Sequence, residues 1–263
     1  MLRPSAWFAV EYFLLVFMMF LRFGGLLLIY PLFVMARIPI KVRLALALMI
    51  GAVLAGNLSV SPDWRSMGMG DMLGIVFFEM CAGVLMGLVC RMVYYALEIA
   101  GLRISTDSGL FVTLNFAGIE GIPQQAPSII LFLLASTMMV GMDLHYFIIE
   151  AVQASYQLLP IGGGQFHGGL INQLGSMIGN VFVMGILISA PVMAIGFLVN
   201  FIMALMGRAV TRINVFAESF SIRLLCGIGV FGATIAVMAE YIANFIRTIP
   251  NGLVITARIF AGN

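Results

Sequence analysis

The chain reads as an all-α, multi-pass integral membrane protein, and three observations carry that reading. Hydrophobic residues fill 62% of its 263 positions and charged ones only 9%, with a mean hydropathy of +1.12; soluble domains carry roughly 25% charged residues. The apolar residues fall into five or six runs long enough for the ~20-residue helix that crosses a bilayer. Between two of these runs lies Gly101 to Pro127, GLRISTDSGLFVTLNFAGIEGIPQQAP, too interrupted by Gly and Pro for one continuous helix and too apolar for a water-exposed loop. Irregular backbone persists at membrane depth only where protein buries it or it lines an aqueous cavity. This stretch is therefore expected to fold back into a channel or an assembly.

In chain order, the first run covers Tyr12 to Phe33 and is ended by the Pro31 to Pro39 region, which delivers Arg37, Lys41 and Arg43. The second is Val42 to Leu58. A polar turn, Ser59 to Asp71, separates it from a third, Met72 to Ile99, which contains Glu79 and Arg91. The loop over 101–127 follows, then a fourth run, Ser128 to Val152, and a flexible Gly-rich connection, IGGGQFHGG, from Ile161 to Gly169. Ile171 to Met206 is too long for one span: about 35 residues at 1.5 Å each make roughly 50 Å against a ~30 Å hydrocarbon core. It is expected to break near Pro191, flanked by Ser189 and Gly196, or to leave the bilayer. Asn214 to Ile249 has the same excess length. No fixed-period repeat and no soluble domain emerge, so the whole chain, 1–263, is expected to be one membrane domain.

The formal net charge of +2 provides no field to attract nucleic acid. Cys81, Cys90 and Cys226 sit in apolar runs and read as small buried hydrophobes. No cleavage site follows the N-terminal run, which is expected to stay in the mature chain. Loop charges place Arg37, Lys41, Arg43, Arg103, Arg208 and Arg212 on the cytoplasmic side and the termini opposite.

Ionisable residues in or near the apolar runs are Arg22, Glu79, Arg91, Glu98, Asp143, Glu150, Glu218, Arg223 and Glu240. Each costs ~2.5–3.5 kcal/mol at a helix centre on insertion scales. A proton or ion relay is the sharp reading; the simpler and preferred one pairs each with a neighbouring helix or subunit, or lets it snorkel. Asp143, His145 and Glu150 form the single cluster resembling a metal or acid/base site, but no second His stands at helical spacing. No G-x-S-x-G or Walker-type motif occurs, so no catalytic residue, metal or cofactor is expected. The 20 methionines read as packing. Gly83 and Gly87 have the small-xxx-small spacing of a close helix contact.

The order of motifs resembles the FliR family of flagellar export-gate proteins and its virulence type III secretion counterparts over nearly the whole chain. The residues carrying the resemblance are the first run with Pro31 and Pro39; Gly101, Gly109 and Phe116; Pro127 to Leu134; His145 to Glu150; S-Y-x-L-L-P-x-G at Ser155 to Gly162, with Pro160; Ala190-Pro191; Asn200; and Asn214-Val215-Phe216 with Glu218, Phe220, Ile222 and Arg223. Two departures are visible. Thr211 and Arg212 stand where the family commonly has Pro-Gln, and Ser219-Phe220-Ser221 where it commonly has G-[FL]-P.

The resemblance implies a single-copy, non-enzymatic subunit of the flagellar protein export channel in the bacterial inner membrane at the basal body. There it would form a gate for unfolded proteins with FliP-type and FliQ-type subunits and a FlhB-type switch protein. It also implies that the loop is a plug beneath the pore, with Gly109, Leu110, Phe111, Phe116, Gly118 and Gly121 as its working residues. A virulence export gate is one alternative. A secondary transporter or ion channel using Arg22, Glu79, Asp143 and Glu218 is the other.

Overall fold

The computed structural model describes residues 10–35, 38–56, 67–110, 125–166, 168–209 and 215–262. Among them the chain forms helices α1 (Val10–Ile29), α2 (Pro31–Met35), α3 (Ile40–Ala55), α4 (Met69–Ser108), α5 (Ala126–Gly141), α6 (Leu144–Leu158), α7 (Gly168–Ala209), α8 (Val215–Ile246) and α9 (Ile249–Phe260). No strand occurs among the described residues, as an all-α membrane protein requires. Four helical segments are long and apolar enough to cross a membrane, or five if the broken pair α5 and α6 makes one span.

Several boundaries differ from the sequence expectation. Gly101 to Ser108 are not loop but the last two turns of α4. Gly101 is buried, and a Cβ there would overlap Ser128, so its role is to let α5 approach rather than to break α4. At the other end Pro127 enters α5 at its first turn, where a missing N–H leaves no helix bond unmade. Of the stretch expected to be irregular, 109, 110 and 125 lie outside helices, and 111–124 lies outside the described residues.

The fourth run is two helices, because Asp143 adopts a left-handed conformation (φ 56°) after Gly141 and Met142. Ile161 to Phe166 is a bonded turn and not a flexible link, and α7 runs through Pro191 without a break. The run starting at Asn214 ends at Ile246, and α9 is a further helix that begins beside Pro250.

The helices group into two compact units. The first holds 1–92, 143–177 and 248–263. In it α1 packs on α3, where Gly51 would place a Cβ 3.2 Å from the Phe20 amide nitrogen, and α6 packs on α9. Its apolar core joins Ala82, Leu159, Leu170 and Phe260. Phe78 and Phe166 pack against Phe260 there, the three rings tilted or edge-on to one another with centroids 5.3–6.3 Å apart. The second unit holds 93–142 and 178–247. There the last four turns of α4 are the strut: Tyr94 meets Phe132 of α5 at 5.0 Å, Gly185 of α7 lies on Ile99, and Gly227 of α8 on Ser108.

Candidate functional site

In the first unit, α1 and α4 are brought together by glycine. A Cβ on Gly83 would overlap the Arg22 carbonyl, and one on Gly87 would stand 2.9 Å from the Leu26 carbonyl oxygen. The small-xxx-small pair thus brings two backbones into contact. Arg22, Gly25 and Leu26 meet Glu79, Gly83 and Gly87 in the same chain order, so the two helices run parallel here.

That register places Arg22 directly against Glu79. The guanidinium donates from Nε to Oε2 and from Nη2 to Oε1, both at 2.8 Å, the two-pronged geometry in which an Arg–carboxylate pair is strongest. The side chains are 0% and 1% exposed. Charges this deep persist only if their remaining hydrogen-bonding capacity is met.

The last turn of α6 and the turn after it meet it. Arg22 Nη1 donates to Ser155 Oγ at 3.0 Å and Nη2 donates to the Leu159 carbonyl at 3.2 Å. The Gly162 N–H donates to Glu79 Oε1 at 3.2 Å. The Arg22 Cζ lies 3.8 Å from the centre of the Tyr156 ring, which adds cation–π attraction and closes one face of the guanidinium. Gly162 has φ 76°, and a Cβ there would come 2.7 Å from Ile75, so glycine alone fits comfortably at this point of the turn.

Four of the residues around the pair, Ser155, Tyr156, Leu159 and Gly162, are positions of the S-Y-x-L-L-P-x-G signature. Pro160 is exposed, and its carbonyl accepts the Gly163 N–H at 2.9 Å to shape the same turn. The arrangement leaves no face of either charge open to a solute. What it does chemically is tie α1, α4 and the α6–α7 turn together.

A second constellation lies in the other unit, where α4 ends. Gly109 takes φ 72°, and the Leu110 N–H bonds back to the Ser105 carbonyl at 2.9 Å, the six-to-one bond of a Schellman ending. Ser105 also donates its hydroxyl to the Leu110 carbonyl. The Phe220 ring of α8 lies over Gly109, where a Cβ would meet Cε2 at 3.1 Å. Arg223, one turn further along α8, is half-buried, and its Nε has no hydrogen-bond partner among the described residues.

Of the residues expected to act, Gly109, Leu110, Phe220 and Arg223 therefore lie on the elements that meet at the base of the loop. Phe111, Phe116, Gly118, Gly121 and Asn214 lie outside the described residues, as does the side chain of Phe216. Pro127 is buried at the start of α5, Pro191 is inside α7, and Asn200 and Glu218 are exposed on α7 and α8. Asp143 and Glu150 are exposed, while His145 is half-buried against the Tyr146 ring at 4.1 Å. No group of three His, Cys, Asp or Glu residues placed to hold a metal occurs among the described residues.

Sequence reasoning named Arg22 and Glu79 as intramembrane charges but not as a pair. One usable signal was their opposite charge at similar depth, each ten to twelve residues into its helix.

Comparison with known proteins adds an independent line. Residues 13–249 match the family described as bacterial export proteins, family 1. The flagellar biosynthetic protein FliR of Caulobacter vibrioides is 24% identical over 227 residues, covering 84% of this chain and 88% of that protein. Its namesake in Pectobacterium carotovorum is 23% identical over 243 residues, 92% of each chain. That of Escherichia coli K12 is 21% identical over 233 residues, 88% of each.

Proposed function

Because the chain belongs to the bacterial export proteins of family 1, the FliR family, and is a multi-pass membrane component of a flagellar export apparatus, we propose that it is the structural and gating subunit of the channel itself. The observation that carries this is helix length. Helices α4 and α7 have 40 and 42 residues, about 60 Å each at 1.5 Å per residue, twice a ~30 Å hydrocarbon core. Lipid covers half of each at most, and the remaining apolar surface requires protein around it.

On this reading a single copy closes a helical assembly with FliP-type and FliQ-type subunits and a FlhB-type switch protein, in the inner membrane at the flagellar basal body. Unfolded flagellar proteins pass through it. The loop from Gly109 to Gln125 hangs from the Schellman end of α4 beside Phe220 and acts as the plug at rest. The apolar bulk of Leu110, Phe111 and Phe116 suits a dewetting constriction.

The test is what purifies with the chain. Expressed alone in its host membrane it should aggregate; expressed with the other membrane subunits it should be extracted with them in fixed ratio. A monodisperse, protease-resistant monomer or homo-oligomer without companions would refute the assembly reading and favour a transporter.

A further inference from the structure

Helix α6 turns one face inward and a chemically different one outward. Ile148, Ala151, Val152, Ser155 and Tyr156 are buried, and α9 packs against the helix. On the opposite side Tyr146, Glu150 and Gln157 are exposed and Gln153 is half-buried. Spacings of four, three and four residues put these four side chains in one strip, about 60° wide.

The depth of the strip follows from what the end of α6 touches. The apolar span of α1, Glu11–Ile29, has 19 residues, about 28 Å at 1.5 Å per residue, which matches a ~30 Å hydrocarbon core. Met18, near the middle of α1, packs with Ile75, and Ile161 of the α6–α7 turn lies against that pair. Ser155 accepts a hydrogen bond from Arg22 of the same helix at 3.0 Å. The end of α6 is therefore level with the middle of the span. Gln153 and Gln157 stand two residues either side of Ser155, ~3 Å along the axis, and Glu150 five residues back, ~8 Å. Half of the core is ~15 Å thick, so all three lie at hydrocarbon depth whichever way α6 points.

Lipid cannot cover them, because amides and a carboxylate would be left without partners in hydrocarbon. A close-packed helix of another subunit suits the strip no better. Membrane helices approach through small residues, as α1 and α4 do at Gly83 and Gly87, whereas this strip holds only Tyr, Glu and Gln side chains. Water meets every requirement: it solvates the carboxylate without a matched cation and pairs with both ends of each amide. The α6–α7 turn points the same way, since Pro160 and Gln165 are exposed there and irregular backbone at membrane depth needs protein or water beside it.

We propose that the α6 strip is a piece of the wall of the aqueous passage, and that the unfolded polypeptide in transit is what touches it. The proposal rests on the export-channel reading above and gives the passage a surface and a chemistry. Each Gln offers two N–H donors and a carbonyl acceptor on a flexible stem, so it exchanges hydrogen bonds with the peptide groups of any sequence. Glu150 keeps the wall wet. Such contact is weak and indifferent to cargo sequence, which suits a channel for unfolded chains.

The experiment uses the full-length chain in a host that builds the export apparatus. In a chain freed of its own thiols by Cys81→Ala, Cys90→Ala and Cys226→Ala, single Glu150→Cys, Gln153→Cys and Gln157→Cys variants are treated with a charged methanethiosulfonate in permeabilised cells. They should react at least tenfold faster than Met49→Cys on the exposed apolar face of α3, within one turn of Gly51, which packs on Met19 and Phe20. A photo-cross-linker at position 157 of the otherwise natural chain should capture an export substrate stalled by a fused domain that cannot unfold, and capture none when the substrate is absent.

A rate ratio near one overturns the proposal. So does a cross-link at position 157 to a fixed membrane subunit that persists unchanged when cargo is stalled, which means a partner helix covers the strip. If the thiol-free chain fails to assemble, the cross-linker on the natural background decides. An unreactive strip with companions still co-purifying removes this placement of the wall and leaves the export reading standing, whereas loss of co-purification removes both.

Discussion

Removing Glu79 is the perturbation whose effect the structure determines most closely. Glu79→Ala deletes the acceptor of two 2.8 Å bonds from Arg22 and one 3.2 Å bond from the Gly162 amide. It leaves a fully buried guanidinium whose remaining acceptors among the described residues are Ser155 Oγ and the Leu159 carbonyl. Breaking a buried pair from one side costs about 3–5 kcal/mol, so the unfolded fraction should rise by roughly 150- to 4,000-fold at ~1.4 kcal/mol per decade.

Arg22→Ala should cost a similar amount, and Arg22→Lys nearly as much, because an ammonium cannot satisfy both carboxylate oxygens and the turn in one planar fork. The double substitution Arg22→Met with Glu79→Met removes both charges at similar volume and should be milder than either single change. The assay is pulse proteolysis in mixed micelles of the chain purified with its companions. If Glu79→Ala is neutral, or if the double variant is the sum of the two singles, the pair is not the tie inferred from its geometry.

Gly83→Ala should destabilise by ~1–3 kcal/mol, since its Cβ has no room beside the Arg22 carbonyl, whereas Gly74→Ala, with nothing within 4 Å, should be neutral or stabilising in the same proteolysis assay. Arg223→Ala should lower the yield of assembled complex more than Arg223→Lys, read on native gels; equal wild-type yields for both would mark the site as solvated. Deleting Gly109 to Gly118 should leave the complex assembled but make cells leak ions, with Phe111→Ala plus Phe116→Ala intermediate. An assembled deletion complex that stays tight to small ions would refute the plug.

How much of this was legible depends on the kind of interaction. Burial of apolar surface is written in composition, so the all-α membrane class and the overlong runs around Ile171 and Asn214 follow directly from the residues. Close approach is only half written. Gly83 and Gly87 announce a helix contact by their spacing, but Gly101 looks like a helix breaker and is instead a contact for Ser128, because composition does not say whether a glycine is flexible or crowded. Pairing across 57 residues, Arg22 with Glu79, is not written locally at all. It depends on a parallel register that the glycines set in three dimensions. The break at Asp143 was missed for the opposite reason: a single left-handed residue leaves no run of turn formers to read.

The core around Ala82, Leu159, Leu170 and Phe260 also sets a clock. Phe260 and the α9 carbonyl that accepts the Gln165 N–H at 2.8 Å leave the ribosome nearly 180 residues after Ala82. At 5–20 residues per second that interval is ~9–36 s. For roughly the second half of it the α6–α7 turn, complete once Phe166 has been made, lacks the Phe260 ring that closes its aromatic wall. The nascent chain thus has a window in which the charged tie can form before its apolar shelter exists, and a membrane protease or insertase that recognises exposed turns would act on it then and not on the finished protein.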